Sequence, residues 1–61
     1  MDRTTATATI DALADALAIV RDRIRRANYG PRRRYLGLRA QAAALEDQRM
    51  ELILERLTLP A

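Results

Sequence analysis

Arginine side chains, which can bind phosphate or carboxylate groups, are concentrated in one short stretch of this chain. Eight of them lie within residues 21–39, around the only Gly-Pro pair, and Asp22 is the only acidic residue among them. The planar guanidinium group binds either anion through two parallel hydrogen bonds. Six arginines are therefore candidate contacts to nucleic acid or to an acidic protein surface: Arg25, Arg26, Arg32, Arg33, Arg34 and Arg39.

A second group that could do chemistry consists of carboxylates that recur every four residues, Asp47, Glu51 and Glu55. This spacing places the three on one face of a helix. A metal site in a helical bundle normally takes ligands from several helices and often includes histidine, and the chain has no histidine and no cysteine. We therefore interpret the carboxylates as a solvated face or as ion-pair partners of a neighbour's arginines, and we predict neither a metal site nor a cofactor.

The sequence favours a protein without enzymatic activity. No nucleophile lies beside a base, and no glycine-rich loop connects a strand to a helix. No apolar run is long enough to cross a membrane, and no signal-peptide pattern is present, so we expect a cytoplasmic protein. Binding to a membrane surface is disfavoured because the arginines cluster at one point instead of following the polar face of a helix.

The elements that position these side chains follow from the spacing of apolar residues. Residues 1–8, MDRTTATA, have no helical periodicity and predict a flexible N-terminal arm. Thr9 is a suitable N-cap, and apolar residues then recur in steps of three and four, which predicts a helix over about residues 9–28. The apolar face of this first helix comprises Ile10, Leu13, Leu17, Val20, Ile24 and Ala27.

A second helix is predicted over about residues 32–58, after a break at Pro31 with Asn28 or Gly30 in the left-handed conformation. It carries two apolar stripes that are about 100° apart around the helix. The first, here called the Tyr35 stripe, is interrupted by Arg49 and Arg56 and comprises Tyr35, Leu38, Ala42, Leu45, Leu52 and Leu59. The second, here called the Leu36 stripe, comprises Leu36, Ala40, Ala43, Met50, Leu54 and Leu57.

The short break forces the helices to run antiparallel, so the sequence predicts an all-α, two-helix hairpin that forms one domain over residues 9–61. At about 1.5 Å per residue the second helix would exceed the first, and residues 52–59 would overhang. One neighbouring helix cannot cover both stripes, so we expect the hairpin to pack with further helices in an oligomer or larger complex. The predicted protein interface comprises Leu36, Met50, Ile53, Leu54 and Leu57.

Two functions of different classes are compatible with these features. The first is a small structural or adaptor subunit that binds itself or a larger assembly through its leucine-rich faces, for example as an accessory component of a phage-like particle. The basic turn and the acidic open end favour it, because antiparallel pairing of two hairpins would bring these opposite charges together. The alternative is non-specific RNA or DNA binding by Arg32, Arg33 and Arg34, since a helix N-terminus disfavours cations unless an anion is bound there. We expect the protein partner.

Overall fold

The computed structural model describes residues 1–60 and consists of two helices joined by a turn at residues 28–31. Helix α1 comprises Arg3–Ala27 and helix α2 comprises Arg32–Arg56. The predicted all-α antiparallel hairpin is confirmed, whereas its packing with further helices stays a prediction. The hairpin is a rod of 46 × 14 × 12 Å with a radius of gyration of 14.1 Å, against about 10–11 Å for a compact domain of this length. The predicted domain ends at residue 61, which lies outside the described residues.

Helix α1 begins six residues earlier than predicted. The carboxylate of Asp2 accepts a hydrogen bond of 2.7 Å from the amide of Thr5, and this bond caps the helix. The predicted start at Thr9 and the predicted flexible arm over residues 1–8 are therefore wrong. The low helix propensity of the threonines suggested an arm, but a cap and the burial of Ala6, which is fully inaccessible to solvent, outweigh that preference.

The turn ends α1 without any left-handed residue. The amide of Asn28 donates to the carbonyl of Ile24 at 3.1 Å, and the amide of Gly30 donates to Ala27 at 2.9 Å. Within residues 1–60 no residue has a positive φ, so the predicted left-handed cap is absent. Pro31 redirects the chain instead, because its ψ of 134° is extended and is incompatible with a continuous helix.

The two helices match in length, and the predicted overhang of residues 52–59 is therefore wrong. Each helix contains 25 residues, because α1 gains the threonine-rich turns and α2 ends at Arg56, two residues before Thr58. At the open end of the hairpin, Nη1 of Arg56 donates to the hydroxyl of Thr7 at 3.2 Å. Each helix thus lies against the other along nearly its whole length.

The core is narrow and is built mostly from α1. The buried apolar residues within residues 1–60 are Ala6, Ile10, Leu17, Val20, Ala27 and Ala42, and only the last belongs to α2. Leu17, Val20 and Ala42 form the central cluster, against which Ile24 and Leu45 pack. The rest of the Tyr35 stripe is only half-buried, so α2 contributes few fully buried groups even on the face that meets α1.

Candidate functional site

The Leu36 stripe is an apolar surface that α1 does not cover. Its large side chains are 50% exposed at Leu36, 55% at Met50, 58% at Leu54 and 70% at Leu57. Ala40 and Ala43, between them along the helix, are exposed as well. Consecutive residues of a helix are rotated by about 100° around its axis. When the Tyr35 stripe packs on α1, the Leu36 stripe therefore faces solvent.

Ile53 is the one predicted interface residue that does not belong to this exposed surface. It is half-buried, because it lies between Leu52, which faces α1, and Leu54, which faces solvent. Leu36, Met50, Leu54 and Leu57 are thus exposed, whereas Ile53 lies at the boundary between the two faces of α2.

The arginine tip comprises the turn and the basic residues around it: Arg23, Arg25, Arg26, Arg32, Arg33 and Arg34. Arg23, Arg26 and Arg34 line a notch together with Ala27, Gly30 and Pro31. The N-cap of α2 is Pro31, which offers no side-chain hydrogen bond to the amides of the first turn. Three arginine residues and the start of a helix without a side-chain cap thus line one notch, a combination that suits an anion.

The six predicted arginines do not form one site. Arg26 and Arg34 share the notch, and Arg26 also pairs with Asp22 at 3.1 Å. Arg25 lies elsewhere, beside Tyr29 and Tyr35. Within residues 1–60, Arg25, Arg32 and Arg33 form no ion pair. Sequence reasoning missed Arg23, although its position one turn before Arg26 on the same face of α1 was the signal that could have included it.

Arg39 interacts with the ring of Tyr35, one turn earlier on α2. Its guanidinium carbon lies 5.9 Å from the ring centroid, and Nη1 donates to the tyrosine hydroxyl at 3.1 Å. The hydrogen bond to Tyr35 raises the pKa of Arg39 further above neutrality, so the side chain stays charged. Arg39 is exposed and lies away from the notch, at the edge of the Leu36 stripe.

The outer surface of the C-terminal half of α2 is acidic. Glu46 pairs with Arg21 of α1 at 2.7 Å, whereas Asp47, Glu51 and Glu55 are exposed and form no ion pair within residues 1–60. The described residues contain no group of three carboxylates close enough to hold a metal ion. These acids therefore remain available for a basic partner.

The two arginines of this half point toward α1. Arg56 is half-buried and donates to Thr7. The sequence does not predict this contact, because residues 1–8 predict a flexible arm. Arg49 is half-buried too, and its Nε atom is buried without a hydrogen-bond partner among the described residues. Within residues 1–60, neither arginine forms an ion pair with the exposed acids.

No protein-family model matches this sequence, and neither a curated protein nor a solved structure shows a significant match to it. Among the described residues, neither helix is sufficiently apolar over a sufficient length to cross a membrane.

Proposed function

We propose that this chain is a small, non-enzymatic helical subunit that assembles with protein through the Leu36 stripe. The observation that carries the proposal is the 50–70% exposure of four large apolar side chains on one face of α2. An apolar patch of this kind on a folded surface is typical of an interaction site. The subunit acts as a structural or adaptor component, since its role is to bind and not to transform a substrate.

The accessible surface of the hairpin supports the need for a partner. The hairpin exposes 4773 Å², whereas a compact monomer of 6.9 kDa exposes about 4,000 Å². The excess of roughly 800 Å² equals what one partner contributes to a protein–protein interface of standard size. An elongated hairpin alone thus leaves exposed about the area that assembly would cover.

The thin core supports the same conclusion. Three of the six buried residues are alanines, and no large side chain among the described residues is completely buried. A domain of this size buries only about 60% of the surface of its unfolded chain and is marginally stable by itself. Covering the Leu36 stripe adds apolar burial at about 25 cal/mol per Å², so assembly and stability are coupled.

The test is to place charge on the stripe and measure assembly. The double variant Leu54→Glu/Leu57→Glu is expected to abolish assembly in sizing and partner-capture experiments while circular dichroism shows retained helix. Ile19→Glu is the matched control, because Ile19 on α1 is 56% exposed and lies outside the stripe. Assembly that survives the double variant, or that fails equally in the control, contradicts the proposal.

The proposal extends to the setting of this subunit. A cytoplasmic accessory component of a large particle, such as a phage-like virion, suits a helical hairpin whose main feature is a binding face. Locating the tagged protein in fractionated cells and purified particles tests this setting. Recovery of the protein in a membrane or secreted fraction, apart from any particle, contradicts it.

A second candidate function is non-specific RNA or DNA binding by the arginine tip, and the notch lined by Arg23, Arg26 and Arg34 favours it. Affinity for a generic oligonucleotide would then fall log-linearly with salt concentration, because neutralised phosphates release counterions. Changing Arg32, Arg33 and Arg34 to Gln would reduce the slope by up to about three, one for each phosphate contact. Fluorescence anisotropy at two salt concentrations measures it, and negligible wild-type affinity at physiological salt eliminates this candidate.

A further inference from the structure

We infer that the occupant of the Leu36 stripe is a second copy of this chain, with the two α2 helices antiparallel and a twofold axis near Ala43. This inference rests on the proposed function, because it names the partner of the same face. A twofold interface requires a self-complementary surface, in which each residue meets the residue equally far on the other side of the axis. Three features of α2 satisfy that requirement around Ala43.

One pair of large apolar side chains of the Leu36 stripe is symmetric about Ala43. Leu36 lies seven residues before it and Met50 seven residues after it, so each would pack on the other across the axis. Leu54 lies eleven residues after Ala43 and comes opposite Arg32 of the second copy, where α2 begins. The contacts between Leu36 and Met50, one on each side of the axis, therefore supply the apolar part of the pair.

Small residues lie where the two helices would approach most closely. Ala40 and Ala43 lie on the exposed stripe and Ala44 is exposed beside them, whereas Ala42 is buried against α1. Two helices pack with their axes about 8–10 Å apart, and the shorter distances require small side chains at the contact. The centre of the stripe thus permits close contact, and the larger side chains interlock on both sides of it.

Charge along α2 reverses sign at the same point. Residues 32–42 contain Arg32, Arg33, Arg34 and Arg39 and no acid, whereas the exposed charges of residues 44–56 are Glu46, Asp47, Glu51 and Glu55. In the antiparallel pair, Arg39 comes opposite Glu46 and Asp47 of the second copy. Arg33 comes within one turn of Glu51 of the second copy. Opposite charges therefore flank the apolar contact on each side of the axis, as in helix pairs whose orientation is set by charge.

The competing arrangements place like charges together. In a parallel pair, the four arginines of one copy would lie against the same four arginines of the other. An antiparallel pair centred on the middle of the stripe, between residues 46 and 47, would place Asp47 opposite Glu46 of the second copy. Both arrangements are repulsive, whereas an axis at Ala43 avoids both conflicts.

Cysteine cross-linking tests the arrangement directly, because the chain contains no cysteine. Ala43→Cys is expected to form a disulfide-linked dimer rapidly under mild oxidation, since residues near the axis meet their own copies. Leu54→Cys is the first control, because its two cysteines would lie about 33 Å apart along the helices. The Cα atoms of a disulfide are only about 4.4–6.8 Å apart. Ala18→Cys, exposed on α1, measures the rate of random collision.

Charge reversal provides the second arm of the test. Arg33→Glu/Arg39→Glu and Asp47→Arg/Glu51→Arg should each weaken self-association in sedimentation equilibrium at least tenfold, and an equimolar mixture should restore a dimer. The helical circular dichroism of the mixture checks that the variants are folded. Restoration shows that the α2 surfaces of the two copies meet, which loss of folding cannot imitate, and the cross-links then decide their orientation.

The outcomes separate this inference from the proposed function. Ala43→Cys dimers that exceed those of Leu54→Cys and Ala18→Cys support the antiparallel pair, and equal linkage at positions 43 and 54 overturns it in favour of a parallel one. A monomeric wild type that binds a different protein through Leu54 and Leu57 overturns the second copy and leaves the proposed function standing. A monomeric wild type with no partner sensitive to Leu54→Glu/Leu57→Glu overturns both.

Discussion

Helices α1 and α2 have the same length but use their apolar residues differently. The main apolar face of α1 comprises six residues, and four of them, Ile10, Leu17, Val20 and Ala27, are buried. In α2, apolar residues lie on two faces, and only Ala42 is buried. A helix with one apolar face is satisfied by one partner, whereas a helix with two such faces requires two. The hairpin supplies the first partner of α2, and we propose that assembly supplies the second.

The largest expected effect is on the free energy of unfolding, and it distinguishes the buried face of α1 from the exposed Leu36 stripe of α2. Leu17→Ala removes a buried side chain from the central cluster and should destabilise the fold by about 2–5 kcal/mol, which unfolds a marginal domain. Leu36→Ala, the matched change on the exposed stripe, should alter the stability of the dilute monomer by only about 0.5 kcal/mol. Urea titrations followed by circular dichroism compare the two. Equal losses in the monomer would show that α1 and α2 pack differently.

A smaller effect concerns the two arginines that interrupt the Tyr35 stripe. Arg49→Met removes a buried Nε atom that has no partner among the described residues and should stabilise the fold by about 1 kcal/mol. Arg56→Met, the matched control, removes the hydrogen bond to Thr7 and should destabilise it by about 0.5–1 kcal/mol. Thermal melts of both variants reveal the signs. A stabilising Arg56→Met, or a destabilising Arg49→Met, would contradict the contacts described for these side chains.

The smallest effect is local and depends on pH. The hydrogen bond from the Thr5 amide lowers the pKa of the Asp2 carboxyl, so the cap is fully present above the pKa of the unfolded chain. It is lost as the pH falls through the lower pKa of the folded state. Relative to the intrinsic rate of an unfolded amide, which itself falls as the pH falls, hydrogen exchange at Thr5 should therefore accelerate at acidic pH, while the relative rate at Val20 in the core changes much less.

The control for this prediction is Asp2→Asn. Asparagine keeps a side-chain acceptor for the Thr5 amide but does not titrate, so the acid-dependent acceleration should disappear while the cap remains. Acceleration of the same size in Asp2→Asn would show that another group near the N-terminus controls the first turn of α1.

The sequence predicts most of this fold because its signals are regular. The steps of three and four that identify the face of α1 depend only on residue type, and Pro31 marks the turn unambiguously. The start of α1 was missed because a single carboxylate, Asp2, stabilises a threonine-rich turn that has low intrinsic helix propensity. That error also produced the false overhang, since the length of α1 determines how much of α2 it covers.

The surface features were predictable only in part. The exposure of Leu36, Met50, Leu54 and Leu57 follows from helical spacing once the Tyr35 stripe is placed against α1. The notch of Arg23, Arg26 and Arg34 does not, because it joins two helices across a turn whose geometry is not encoded by periodicity. The burial of Ile53 and of the Nε atom of Arg49 depends similarly on how closely the two helices approach.

The two methionines of the chain provide the most direct measurement of whether the Leu36 stripe is covered. Met50 is 55% exposed and Met1 is 62% exposed in the isolated hairpin, so peroxide should oxidise them at similar rates wherever the stripe is free. In the cells that make the protein, where it is assembled, we expect peroxide to oxidise Met50 more slowly than Met1. The oxidation rates of the two methionines should become equal when the protein is diluted and in the double variant Leu54→Glu/Leu57→Glu. Equal oxidation of the two methionines in the assembled wild type would contradict the account.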